Sequence, residues 1–163
     1  LAQGEVFFPA QAVALVLAET QAQARAAAQA GVVEVAAQDA VNSIGEALAN
    51  ALGDRAGIAR FGTAYAPLDE ALARVVVDLS GRGWAEVTLS LQREIIGDVA
   101  TENLTHFFRS LAANGRLAIH VDVLRGDNDH HKAEAAFKAA ALALREAVSE
   151  TGSAAVPSTK WKL

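Results

Sequence analysis

Residues 116–124 alternate with period two. Leu117, Ile119, Val121 and Val123 fall on one side of an extended segment, and Ala118, His120 and Asp122 on the other. A strand of this kind has one face to bury. Helical patterns flank it. Thr101 to Ala113 carries an apolar stripe of Leu104, Phe107, Phe108 and Leu111, with Thr101 as the expected N-cap and Asn114-Gly115 as the close. Beyond Gly126 a second helix is expected over roughly 129–150. The helix–strand–helix unit therefore calls for an α/β layer, helices on sheet.

The first part of the chain repeats that outline. Residues 9–30, rich in Ala, Gln, Val and Leu, read as a helix. Val32-Val33-Glu34-Val35 reads as a short strand, and Gln38 to Leu52 as a helix ending at Gly53. Three strands are expected between the copies: Ile58 to Tyr65, Ala73 to Leu79, and Trp84 to Leu91. Pro67, Gly81 and Gly83 supply the turns. Arg93 to Ala100 is expected to be a loop, and 151–163 a polar tail. The pattern predicts one α/β domain over 1–163 with two similar halves, repeat 1 about 1–66 and repeat 2 about 67–163.

The 163 residues suffice for one sizeable core. A net charge of -5 argues against a general nucleic-acid binder or an anionic-membrane binder. No apolar run approaches the roughly 18–20 residues of a membrane span. The absence of Cys excludes thiolate chemistry and fits a cytoplasmic protein. The chain starts at Leu1 and contains no Met, so a preceding segment is expected to be missing.

Chemistry concentrates in Asp127-Asn128-Asp129-His130-His131-Lys132-Ala133-Glu134. Asp and Asn before the histidines are good N-cap residues. Consecutive helical residues diverge by roughly 100°, so His130 and His131 can serve two metal ions more easily than one. Glu134 lies within reach of both, and its carboxylate beside imidazole favours a harder ion such as Mn over Zn, Fe or Ni. The same residues read equally well as a solvated helix cap. His106 is a further ligand or a core histidine, and mid-strand His120 reads as structural. Arg60 and Arg82 sit at strand–turn edges. With Ser158 and Lys160 of the tail they could collect a phosphate, or be ordinary surface groups. Pro67-Leu68-Asp69-Glu70 is an acidic turn open to either a connecting or a site role.

Taken together the motifs are specific. Ala51-Leu52-Gly53-Asp54, Arg60-Phe61-Gly62, Ala66-Pro67-Leu68-Asp69-Glu70-Ala71-Leu72 and Asp78-Leu79-Ser80-Gly81-Arg82 come first. His106-Phe107-Phe108-Arg109-Ser110-Leu111, His130-His131-Lys132-Ala133-Glu134 through Phe137-Lys138-Ala139, and Val156-Pro157-Ser158-Thr159-Lys160 follow in order. Over about 45–160 the chain resembles the imidazoleglycerol-phosphate dehydratase family. The resemblance implies an α+β sandwich of two βαβ-type halves, with helices packed between two four-stranded sheets. It implies dehydration of imidazole glycerol phosphate in histidine biosynthesis, with two Mn ions per site. His106, His130, His131 and Glu134 would be metal ligands, and Glu134 and Lys138 would act at the substrate. Arg60, Arg82, Ser158 and Lys160 would bind its phosphate. A homo-oligomer, a 24-mer built from trimers, is implied as well.

The first half departs from the family pattern. Where a second His-His-x-x-Glu helix is expected, Val35 to Ile44 contains no histidine, and Phe7-Phe8 is followed by Pro9-Ala10-Gln11. Half of the implied metal shell is missing there. The different reading this leaves is a non-catalytic oligomeric shell protein of the same fold; a metal-dependent hydrolase using one HHxxE is more distant.

Overall fold

The alternating segments pair into one sheet. The computed structural model describes residues 33–153 and 155–157. The chain divides into two compact units, residues 1–40 and 41–163, and apart from residues 33–40 the architecture below is that of the second. A helix, α1, runs Val33–Leu52. The strands are β1 (Phe61–Leu68), β2 (Ala71–Asp78), β3 (Trp84–Thr88), and the short β4 (Ile95–Ile96) and β5 (Val99–Ala100). Helix α2 (Thr101–Gly115), strand β6 (Ala118–Arg125) and helix α3 (Asp129–Ala147) complete the order. The main sheet has the order β1-β2-β6-β3. β1–β2 and β2–β6 are antiparallel, and β3 runs parallel to β6. The connection between these two parallel strands contains α2, as parallel pairing requires a crossover.

One face of this sheet is the core. Val75 and Val77 of β2 and Ile119 and Val121 of β6 are wholly buried, as are Leu79 and Leu117. Each such side chain contributes about 1.5–3 kcal/mol of burial. Phe108 of α2 and the alanines 135, 136, 139, 143 and 147 of α3 close over them. Alanine on that face lets α3 approach the sheet closely. The approach is tightest at Gly62, where any Cβ would overlap the Ala143 carbonyl oxygen and stand 2.9 Å from the Ala147 nitrogen.

The α+β class and the buried face of β6 agree with expectation. The described residues hold one four-stranded sheet; the second sheet of the expected sandwich is not among them. The helix expected over 9–30 lies outside the described residues. Of the strand expected over Val32 to Val35, the described part, Val33 to Val35, is helical and lies in α1. Glu34 between the two valines disfavours a strand, and the strong helix formers Ala36, Ala37 and Gln38 follow. Pro67, expected to turn, pairs with Leu72 inside β1. Among the described strands β1 is at the edge of the sheet, where a missing N–H costs no ladder bond. The turn falls at Asp69-Glu70, with Asp69 at φ 46. The boundary drawn between repeats at 66/67 therefore lies within β1. The expected loop 93–100 contains the β4–β5 ribbon, turned at Gly97 with φ 60.

Two helix ends also differ. Thr101 is not the N-cap of α2; that position is Ala100, without a side-chain cap. The Thr101 hydroxyl instead donates to the carbonyls of Arg93 and Glu94 at 2.8 and 3.2 Å. Gly115 is the last helical residue, and Arg116 adopts the left-handed cap at φ 50.

Candidate metal and phosphate site

Asn128 starts α3 as expected. Its side-chain oxygen accepts from the amides of His130 and His131 at 2.9 and 3.4 Å. The two imidazoles then diverge, with ring centroids 6.0 Å apart and planes at 59°. His130 Nε2 lies 3.3 Å from Glu134 Oε2, one helical turn on. Two donors at about 2.1 Å from a shared ion stand between about 3.0 and 3.4 Å apart. The spacing is that of two donors on one divalent cation and equally that of a His–Glu ion pair. Glu134 Oε1 accepts from Lys138 Nζ at 2.7 Å. That hydrogen bond holds the Glu134 carboxyl below its usual range, against the opposing effect of desolvation.

His131 faces other partners. Its Nδ1 lies 2.7 Å from Glu70 Oε2, and its Nε2 lies 3.8 Å from Asp69 Oδ2. The hydrogen bond to Glu70 pushes the His131 pKa up. Glu70 Oε1 accepts from the amides of Asp127 and Asn128 at 3.1 and 2.8 Å. The Asn128 amide first, then His131, bring the Glu70 carboxyl from 4.5 to about 2. Glu70 is thus ionised in the folded chain where it would be protonated in the unfolded one. Its contribution is complete above about pH 4.5 and is lost as the pH falls toward about 2. In thermal melts by circular dichroism, the advantage of the native chain over Glu70→Gln is expected to shrink across that window. An advantage undiminished at pH 2 would contradict it.

A buried network lies beneath this end. The Asp129 carboxylate accepts from the amides of Gln92 and Arg93 at 2.8 and 2.7 Å, and from Lys132 Nζ at 3.0 Å. Lys132 also donates to the Ser90 carbonyl at 3.0 Å. Burial alone would raise the Asp129 carboxyl; the Arg93 amide, Lys132 and the Gln92 amide outweigh it and leave it lowered. Sequence reasoning missed this pair; its i,i+3 spacing was the available signal.

His106 is exposed on α2. Among the described residues no hydrogen bond joins it to the His130–His131 pair. Its neighbour Phe107 packs at 4.9 Å centroid distance on Phe137 of α3, which lies between Glu134 and Lys138. His120 is exposed on the outer sheet face. Among the described residues no three His, Asp or Glu side chains converge on one point that an ion could fill. His130 with Glu134, and His131 with its own partners, supply incomplete shells.

The phosphate candidates lie elsewhere. The Arg60 amide donates to the Ala147 carbonyl, at the far end of α3. From His131 to Ala147 the helix rises roughly 24 Å. The Arg60 guanidinium is forked on Asp78 at 2.7 and 3.1 Å and donates to the Pro157 carbonyl at 2.7 Å. It thereby ties down the chain immediately before Ser158. Ser158 and Lys160 lie outside the described residues. Arg82 is exposed in the turn after β2, at the same end of the sheet as Arg60. Within one chain, Arg60 and Arg82 thus lie at the opposite end of α3 from His130, His131 and Glu134.

Comparison with known proteins gives the family. The imidazoleglycerol-phosphate dehydratase family model matches residues 13–144. A protein of that name from Eremothecium gossypii is 55% identical over 126 residues, covering 77% of this chain and 57% of the relative. The Saccharomyces cerevisiae protein is 54% identical with the same two coverages. The chain therefore spans little more than half the length of these relatives. The crystal structure of imidazoleglycerol-phosphate dehydratase from Staphylococcus aureus N315 superposes with a TM-score of 0.68. It is 43% identical and covers 71% of this chain and 67% of that one. The Pyrococcus furiosus structure, in complex with (S)-C348, gives 0.65 at 38% identity, covering 78% and 72%. With most of its length matched by that model, the chain belongs to the imidazoleglycerol-phosphate dehydratase family.

Proposed function

We propose that this chain serves a hydro-lyase that dehydrates imidazole glycerol phosphate to imidazole acetol phosphate, a step of histidine biosynthesis. The observation that carries the reading is the donor pair His130 Nε2 and Glu134 Oε2 at 3.3 Å, set on a capped helix start beside His131. His106, His130, His131 and Glu134 would hold manganese, which when bound supplies Lewis-acid stabilisation of charge on the substrate ring. Lys138 keeps Glu134 ionised and lies one turn along the same helix, where it would meet the substrate. Arg82 and Lys160, with Ser158, would bind the phosphate. Arg60, already forked on Asp78, would act there largely by holding the tail.

The roughly 24 Å between the two ends of α3 exceeds the size of this substrate. A working site therefore joins the metal end of one copy to the phosphate end of another. This supports a homo-oligomer, with the 24-mer built from trimers as the assembly proposed, in the cytoplasm. Among the described residues no helix is long and apolar enough to cross a membrane.

The second reading is a non-catalytic shell protein of the same fold. It is favoured by the lack of any histidine from Val35 to Ile44 and by the incomplete shells. Manganese content and turnover of imidazole glycerol phosphate, measured on the same preparation, separate the two. Turnover is expected in the native chain and is expected to fail in His130→Ala and in Arg82→Ala alone. Mixed copies of those two variants are expected to regain part of it. A metal-free, inactive oligomer would leave only the shell reading.

A further inference from the structure

We infer that Glu70 is a positioning residue that sets the tautomer of His131: Nδ1 carries the proton and Nε2 is the nitrogen presented to a divalent cation. The inference deepens the metal reading above and rests on it for the cation only. A carboxylate accepts hydrogen bonds and donates none. With Glu70 Oε2 at 2.7 Å from Nδ1, the neutral ring must place its hydrogen there. The competing acceptor, Asp69 Oδ2, is 3.8 Å from Nε2, too long for a hydrogen bond. Nε2 is left with a free lone pair, and the Asp69 carboxylate stands on that same side, where it would offset positive charge.

The Glu70 carboxylate is itself fixed. Its other oxygen is held by the amides of Asp127 and Asn128, the residues from which α3 starts. The β1–β2 turn, the helix start and the imidazole ring are therefore one hydrogen-bonded unit. His130 is held less: its side chain is 61% exposed against 26% for His131, and among the described residues its ion-pair partner is Glu134. The two adjacent histidines differ in preorganisation. Partners of this kind fix the orientation of a ligating imidazole and commonly change metal affinity by about 10–100-fold.

Glu70→Gln tests this sharply. The Gln oxygen can keep both loop amides, which turns its NH2 toward His131 Nδ1. That group donates, so the ring hydrogen is driven to Nε2 and the lone pair is lost. The full chain would be labelled with 15N-histidine and studied metal-free, at a pH where the ring is neutral, with His131 assigned by its loss in His131→Ala. The native protein is expected to show Nδ1–H, Glu70→Gln to show Nε2–H, and Glu70→Ala to show a mixture. Manganese titrated calorimetrically is expected to bind about 10–100-fold more weakly to Glu70→Gln, with helix content unchanged. A native ring protonated at Nε2, or a Glu70→Gln ring identical to the native one, would overturn the proposal. A role confined to holding the loop would leave the tautomer of Glu70→Gln unmoved. Should the native chain take up no manganese, the metal reading fails, while the 15N spectra still decide the tautomer.

Discussion

Replacing Asp129 by alanine is expected to cost about 3–5 kcal/mol of folding stability, the range for stranding one partner of a buried ion pair. Asp129 and Lys132 are 3% and 4% exposed. Removing the carboxylate leaves a buried ammonium with a single carbonyl acceptor, and it orphans the amides of Gln92 and Arg93. Because these amides belong to the segment after β3, the loss is felt in two places at once: the loop is released and the first turn of α3 loses its underside. Urea unfolding at an unchanged slope would report the cost as a lower midpoint. A second substitution, Lys132→Met, is expected to recover part of it by removing the stranded charge while keeping the bulk. A single-variant loss below about 1 kcal/mol, the range of an exposed pair, would show that water reaches the pair.

Gly62→Ala is expected to destabilise by about 3 kcal/mol, at the upper end of ordinary overpacking. The obstacle is backbone: the Ala143 carbonyl and the Ala147 nitrogen cannot rotate away as a side chain could. Relief would require lifting α3 from β1, which would open the contact over the whole buried alanine face. Gly53→Ala makes the control. Gly53 has φ +51 but open space around its Cβ position, so only the conformational penalty of about 1–2 kcal/mol applies. Equal losses at the two positions, measured by thermal unfolding, would refute the packing account.

Much of this fold is legible because its signals are local. The alternation in β6, the β-branched run Val75-Val76-Val77 and the stripe of α2 each fit within one element. Asn128 as a cap and the His130–Glu134 pair are legible for the same reason: helical spacing puts them together. The misreadings come from context. Pro67 is tolerated in a strand because β1 lies at the edge of the sheet among the described strands, and edge position depends on the order of strands rather than on local residues. Val33 and Val35 have strand propensity, but the helix formers that follow them carry the segment into α1. At the site, Glu70 reaches His131 across 61 residues of chain, and Arg60 finds Asp78 across 18. Such partners follow only once the β1–β2 hairpin and α3 have been placed. Glu70 was visible as part of an acidic turn; what it touches was not.

The unbroken course of α3 has a consequence for how this chain can change length. The helix acts as a ruler between the histidines at one end and the Arg60 anchor at the other. One inserted or deleted residue would turn the ends by roughly 100° relative to each other and shift them by about 1.5 Å. Seven added residues would restore the angle almost fully yet push the ends about 10 Å apart. No insertion preserves both quantities. The segment around the β4–β5 ribbon, exposed over most of its length, carries no such measure. Length variation should therefore collect there and spare the residues between Asn128 and Ala147.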